Sequence, residues 1–250
     1  MKKRLLIIGL LLSSGARLYA QKLEVSVQAN TGLFHFSGAS ATATTMVLQG
    51  SATGDPQNRA NDPYGSKNGF SYGGSVQAQL VSKGGFIVGL QGGYELLRSK
   101  ANVDRYYPIP PLTATTALLP IAAVDWSIPV TGHVALQNQT INLNPYIGYR
   151  FKLNKVKLDI MPGMDIGFVV NTRDKGEVKD KDNKTYKVNY DRGDTPTDIR
   201  LRLGAAAGYG RYGINASFAH GITNYRKNWI GGVNDAHSEL LRLGLSYRLF

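Results

Sequence analysis

Apolar and polar residues alternate with a period of two along most of this chain. Leu23, Val25, Val27 and Ala29 are separated by Glu24, Ser26 and Gln28. The same alternation runs through 70–80, 86–96, 141–151, 156–170, 199–209, 212–222 and 241–249. Period two over this many residues marks strands with one apolar face. No convincing helical stripe occurs beyond the first twenty residues. Three connections are tight, at 82–85, 153–155 and 210–211, and four are long and polar, at about 37–67, 99–139, 172–197 and 224–238. The strands are about a dozen residues long, against the five or six usual in a soluble sandwich. In lipid every backbone N–H and C=O must be paired, which a closed sheet achieves and an open edge does not. The pattern therefore predicts an all-β protein: an eight-stranded antiparallel transmembrane β-barrel with short periplasmic turns and long extracellular loops.

One segment fits this scheme badly. Val124, Trp126, Ile128 and Val130 alternate ahead of His133 and Ala135. A ninth spanning strand would give an odd total, so 122–137 is read as an extracellular extension folding back on the strand near Asn142. A barrel with more strands is the alternative.

The first twenty residues look like an address. Lys2, Lys3 and Arg4 precede the apolar run 5–12, and a small-residue stretch ends at Ala20. This is the layout of a cleaved secretory signal peptide over 1–20, leaving 21–250 as an exported outer-membrane barrel domain. The apolar run is too short to span a bilayer as a helix. The formal charge is +12 over 250 residues, and the chain remains basic without its first twenty. There is no cysteine, which excludes disulfides, thiol nucleophiles and cysteine-ligated metals.

If the apolar set faces lipid, the other set fills the lumen. It is glycine-rich and carries Glu24, Glu95, Arg150, Asp159, Asp165, Arg200, Arg202 and Arg242, with Lys152, Lys157, Asp198 and Arg248. Opposite charges in a narrow interior must pair, and eight strands leave a bore that side chains roughly fill. A plugged, salt-bridged lumen is expected, with a small transport channel as the alternative. Phe70, Tyr72, Phe86, Tyr94, Tyr149, Phe168, Tyr209, Tyr212, Tyr225 and Trp229 near strand ends suit interfacial girdles.

Candidate chemistry is sparse. His35, His133, His220 and His237 fit no metal-binding spacing. Ser217 and His220 are three apart, so on a strand they face opposite ways. That argues against the remaining alternative, an outer-membrane lipid-modifying enzyme. Asp180-Lys181-Asp182-Asn183 lacks the glycine and closing glutamate of a calcium loop. Arg192-Gly193-Asp194 spells an adhesion tripeptide, too short to weigh. No catalytic residue, metal or cofactor is expected. The basic charge points to outer-membrane lipids and lipopolysaccharide phosphates rather than nucleic acid. The loops offer a surface for a protein partner.

Asn142-Leu143-Asn144-Pro145 with Tyr149-Arg150-Phe151, then Val156-Lys157-Leu158 and Pro162-Gly163-Met164 with Gly167-Phe168, resembles the small PorT-type outer-membrane β-barrel family. Ala216-Ser217-Phe218 with Gly221-Ile222-Thr223-Asn224 is similar to that family's penultimate strand. The resemblance implies the eight-stranded shape of OmpA- and OmpX-like proteins and a cell outer-membrane location. One family member is linked to a secretion apparatus, and no residue here carries that role over. The ending Tyr247-Arg248-Leu249-Phe250 resembles the terminal signal read by barrel-assembly machinery, with Tyr247 and Phe250 as its aromatics. Phe250 is out of phase with Tyr247 and Leu249.

Overall fold

The structure, a computed structural model, describes residues 22–50, 57–109, 125–193, 195–227 and 234–250. The expected signal peptide, Trp229 and Asp194 lie outside the described residues. The strands are β1 (Lys22–Ser37), β2 (Thr44–Leu48), β3 (Arg59–Ala60), β4 (Lys67–Val81), β5 (Phe86–Tyr107) and β6 (Ile128–Leu153). They continue with β7 (Val156–Asp180), β8 (Thr185–Asp191), β9 (Asp198–Tyr209), β10 (Tyr212–Gly221) and β11 (His237–Arg248).

Eight of these strands form a closed antiparallel ring in the order β1, β4, β5, β6, β7, β9, β10, β11 and back to β1. They are the eight strands that the alternation marks. The seam lies between the two ends of the chain. Val25 N–H donates to the Phe250 carbonyl (3.1 Å) and Leu249 N–H to that of Val25 (2.8 Å). Tight turns join β4 to β5, β6 to β7 and β9 to β10 at one end of the ring. Each of them places a residue at positive φ, Gly85 at 93°, Asn154 at 57° and Gly210 at 59°, where short polar residues and glycine are tolerated best. All four longer connections lie at the other end.

The wall is not level. β5, β6 and β7 have 22, 26 and 25 residues, against 12 in β9 and 10 in β10. Beyond the rim of the ring β2 joins β5 in parallel, β3 pairs with β2, and β8 pairs with β7. The six-strand row from β3 to β8 curls until its edges meet. Asn58 Nδ2 donates to the Lys187 carbonyl (2.7 Å). Arg192 spans from the Asp174 carboxylate (2.7 Å to each oxygen) to the Ala60 carbonyl (2.5 Å). This closed annex sits on the long-loop end of the barrel.

The described part of the segment 122–137, from Asp125 on, therefore does not fold back. From Ile128 it is the upper half of β6, continuous with the spanning part and hydrogen-bonded between the extensions of β5 and β7. The described residues of the supposed loops at 99–139 and 172–197 are likewise mostly strand. The extensions of β5 and β7 supply partners for both edges of β6, so its backbone groups are satisfied without any turn.

Side-chain polarity divides the molecule into two zones. In the ring the exterior is apolar. Phe70, Val76, Leu90, Ile147, Leu203, Ile214 and Leu245 are all exposed, while Glu24, Asn144, Arg150, Asp165 and Arg242 are buried. A hydrated exterior would make this arrangement unstable, and a bilayer makes it favourable. In the annex the order is the usual one. Val47, Val103, Tyr106, Val130, Val134 and Val178 form a buried cluster, and Lys175, Glu177 and Lys179 face outward.

Candidate functional site

The bore of the ring is filled in layers. At the short-turn end Glu24 on β1 meets Arg150 on β6. Nη1 donates to Oε1 (3.0 Å) and Nη2 to Oε2 (2.9 Å). Arg150 also donates to both oxygens of Asp159 on β7 (2.7 Å each). Arg248 Nη1 (3.2 Å) and Gln79 Nε2 (3.0 Å) add to Glu24. Forked guanidinium–carboxylate pairs are the geometry that best offsets the cost of burying charge. Each of these residues occupies an inward position of its strand, so the period-two pattern alone brings them together.

A neutral amide layer follows. Gln77 Nε2 donates to the Tyr146 hydroxyl (2.5 Å), which donates to Gln79 Oε1 (3.0 Å), and Gln28 donates to Gln77. Above it lies a second charged layer. Arg242 on β11 donates Nε to Glu95 Oε1 (2.6 Å) and Nη2 to Oε2 (2.8 Å). The same Nη2 lies 2.7 Å from Asp165 Oδ2. Arg202 Nη1 reaches Asp165 Oδ1 (3.3 Å) and Gln91 Oε1 (3.0 Å). Arg200 Nε is 3.2 Å from Asp198 Oδ2, whose other oxygen accepts from Ser238 Oγ (2.9 Å). Gly244 sits among these groups. A Cβ there would stand 2.2 Å from Asn30 Oδ1 and 2.7 Å from Asn215 Oδ1, so a larger residue would displace both amides.

The long-loop end of the bore is apolar. Phe34 and Phe36 on β1, Leu97 on β5, Leu136 on β6, Leu240 on β11 and Tyr225 from the β10–β11 connection pack across it. Phe36 stands edge-on to Tyr64 and to Tyr225, each at 5.0 Å between ring centres. The Tyr64 hydroxyl donates to the Tyr225 carbonyl (3.3 Å), and Arg226 Nη2 donates to Asp62 Oδ1 (2.6 Å). Two connections are thus fastened over the mouth. Burial pushes the Tyr64 hydroxyl pKa upward, which keeps it a neutral donor. Among the described residues, cavities along the bore include ones of about 50, 10 and 10 Å³, each with room for isolated waters. A hollow of about 630 Å³ lies on the apolar outer wall instead, lined by Ala29, Ala205, Ala207, Ile214 and Leu243 among others.

The sequence reading misses this apolar layer. Its one available signal is Phe34-His35-Phe36, which continues the β1 alternation with the apolar residues on the opposite parity. Tyr225 is not a girdle residue. It is buried in the layer because the connection turns inward after Thr223. Phe70, Tyr72, Phe86, Tyr94, Tyr149, Phe168, Tyr209 and Tyr212 do face outward. Tyr247 is half-buried and pairs edge-on with Tyr212 at 5.4 Å, whereas Phe250 is exposed beyond the end of β11.

The remaining chemical candidates have structural occupations. Ser217 is buried in the bore and His220 is outside, so the two do not meet. His35 and His220 flank Glu239 on the outer face (3.5 Å each), and His237 contacts Asp235 (2.9 Å). His133 is exposed opposite Glu177. Among the described residues no group of three or more His, Asp or Glu side chains is placed to hold a metal ion. Asp180 accepts from Asp182 N–H (2.9 Å), Lys184 N–H (3.0 Å) and the Tyr186 hydroxyl (3.0 Å), so it shapes a hairpin tip rather than a cation loop. Arg192 of the Arg-Gly-Asp triplet is spent on Asp174. On the annex surface the Arg173 guanidinium holds the Asp191 carboxyl below its usual range.

No family model matches the sequence, and no curated protein matches it. Among solved structures the chain is similar to Neisserial surface protein A, at 14% identity and a TM-score of 0.36 over 89% of this chain and 96% of that one. Ail, the attachment invasion locus protein of Yersinia pestis, in complex with the heparin analogue sucrose octasulfate, gives 12% identity and a TM-score of 0.31 over 92% and 98%. The translocator domain of the autotransporter NalP from Neisseria meningitidis gives 11% identity and a TM-score of 0.26 over 95% and 92%.

Proposed function

We propose that the protein is a non-enzymatic integral outer-membrane β-barrel with a plugged lumen, exported by residues 1–20. In this reading the annex and the connections at the long-loop end face the outside, for interaction or envelope integrity. The observation that carries it is the inversion of side-chain polarity. An apolar exterior and a charged interior in the ring give way, along the same strands, to an apolar interior and a charged exterior in the annex. Only a boundary between hydrocarbon and water explains a reversal at one level. The two ion-paired layers and the aromatic layer above them support a bore that conducts nothing.

The PorT-type resemblance belongs to the same reading. Its Tyr149-Arg150-Phe151 motif places Arg150 at the centre of the lower ion cluster, which gives the motif a physical role in holding β1, β6 and β7 together. Tyr247 and Phe250 remain the candidate assembly signal, since they end the strand that closes the ring against β1. Outer-membrane lipids, lipopolysaccharide and the assembly machinery are the partners this reading implies.

The test is fractionation followed by electrophoresis and planar-bilayer recording of the purified full chain. The expected results are recovery in the outer-membrane fraction, slower or faster migration after boiling than before, and no current steps. Discrete conductance steps overturn the plugged lumen. Recovery as a compact, detergent-free soluble monomer overturns the membrane reading.

A further inference from the structure

The outer face of β4–β7, one level beyond the apolar band, carries an unbalanced row of cations. Lys67 on β4 is the direct cross-strand partner of Lys100 on β5. Lys100 pairs across to Ala135 on β6, and Ala135 to Lys175 on β7. All four share one face, because directly opposed residues in an antiparallel sheet do. That face is the exterior, since Ser99, Ala101, Leu136 and Asp174 beside them are buried inward. Ala135 faces outward yet is buried. One step nearer the bilayer, Arg98 stacks over the Tyr72 ring at 5.4 Å, and its Nε has no hydrogen-bond partner.

Like charges placed directly opposite each other destabilise a sheet. Among the described residues no carboxylate lies within ion-pair distance of Lys67, Arg98, Lys100 or Lys175 to relieve them. The nearest acidic side chains on this face are engaged or further out. Asp191 is held by Arg173 (2.6 and 2.8 Å). Glu177 lies two residues beyond Lys175, opposite Lys187. On the far side of the barrel the corresponding level carries Glu239 between His35 and His220, so the cationic row belongs to one side. Its height identifies the occupant. Phe70, Tyr72 and Tyr94 end the apolar band immediately below, and interfacial aromatics mark the headgroup level.

We propose that Lys67, Arg98, Lys100 and Lys175 form a docking site for the phosphate groups of a phosphorylated lipid in the outer leaflet, its acyl chains lying along the apolar wall beneath. The proposal rests on the outer-membrane reading above and specifies its lipid partner. Lysine heads supply point charges to phosphate, and the Arg98 guanidinium adds a fourth positive charge beside them, its Nε itself being buried.

The test uses the full chain, folded and heat-modifiable, in detergent micelles. It measures retention of bis-phosphorylated lipid A and of the same lipid after phosphate removal, with and without millimolar inorganic phosphate. Lys67→Gln/Lys100→Gln/Lys175→Gln is compared with Lys83→Gln/Lys155→Gln/Arg211→Gln at the short-turn end. The expected result is binding of the phosphorylated form only, weakened about tenfold or more by the first triple variant and unchanged by the second. Equal binding of the dephosphorylated lipid overturns the site, as does equal loss in both variants. So does full displacement by inorganic phosphate, which would mark a small-anion site. These outcomes leave the barrel itself intact, since every variant is scored only when it remains heat-modifiable.

Discussion

The lower and upper halves of β6 follow one geometric rule and opposite chemical ones. From Val130 to Arg150 the even-numbered residues point inward without interruption. In the upper half they are Val130, Val134 and Leu136, and in the lower half Asn138, Thr140, Asn142, Asn144 and Arg150. The outward positions change in the opposite sense, from Thr131, His133 and Gln139 to Ile141, Leu143, Ile147 and Tyr149. Strand geometry fixes which face a residue occupies, and the solvent on each face fixes what that residue should be. The same reversal occurs on β1 between Leu33 and Phe34, on β5 between Leu96 and Leu97, and on β11 between Leu241 and Leu240. β7 reaches it by another route. A bulge around Val170 shifts the phase, so that odd positions face inward below it and even positions above.

The comparison can be broken most severely from inside the barrel. Arg150→Ala leaves Asp159 buried without its cation and Glu24 with only Arg248 and two more distant lysines, and should destabilise the ring by about 3–5 kcal/mol, read by urea unfolding in phospholipid vesicles. A loss below about 1 kcal/mol would mean that the lower cluster is solvated and that its ion pairs do little. Leu240→Ala opens a cavity in the apolar layer of the mouth. The expected cost is about 2–5 kcal/mol, with proteolysis at 222–227 rising as the fastened connection loosens. Unchanged protease resistance would show that the connections close the mouth by themselves.

Charge on the outer wall sharpens the contrast between the zones. Leu203→Lys near the middle of β9 should cost about 2–4 kcal/mol, because lysine there faces acyl chains. His133→Lys, equally outward but in the annex and opposite Glu177, should fall within about 0.5 kcal/mol of the parent. Similar costs at the two sites would erase the boundary. The smallest effect is expected from Arg173→Ala on the annex surface. Because the Asp191 pKa is depressed in the folded state, its small contribution is present above the ordinary carboxylate value and fades as pH falls through the folded one. The variant should therefore differ from the parent slightly at neutral pH and not at all in acid. A difference that grows in acid would contradict the pairing.

The ring was legible because one strand pattern suffices where a single solvent covers each face. Alternation located all eight ring strands, and parity put Glu24, Arg150, Asp165 and Arg242 on the same side of the wall before any contact was known. The annex was illegible for the same reason. Val124 to Val130 carry their apolar residues on even numbers, whereas Ile141 to Phe151 carry theirs on odd numbers. Read as a single stripe this looks like a break, and a break suggests a turn. Only pairing with β5 and β7 shows that the phase is continuous and the environment changes. Short elements such as β3, with two residues, and long-range contacts such as Arg192 with Asp174 and Ala60 leave no local periodic signal at all.

The chain has no cysteine, so a single introduced thiol is the only label site in the protein. Single-cysteine substitution at each position from 131 to 149 on β6, spin-labelled in vesicles, reports access to oxygen in the hydrocarbon and to a water-soluble nickel chelate. Odd positions from 141 to 149 should be open to oxygen alone, odd positions from 131 to 139 to the chelate, and even positions throughout to neither. Oxygen access at 131–139, or lipid exposure of the even positions 142–148, would contradict the inversion on which this account stands.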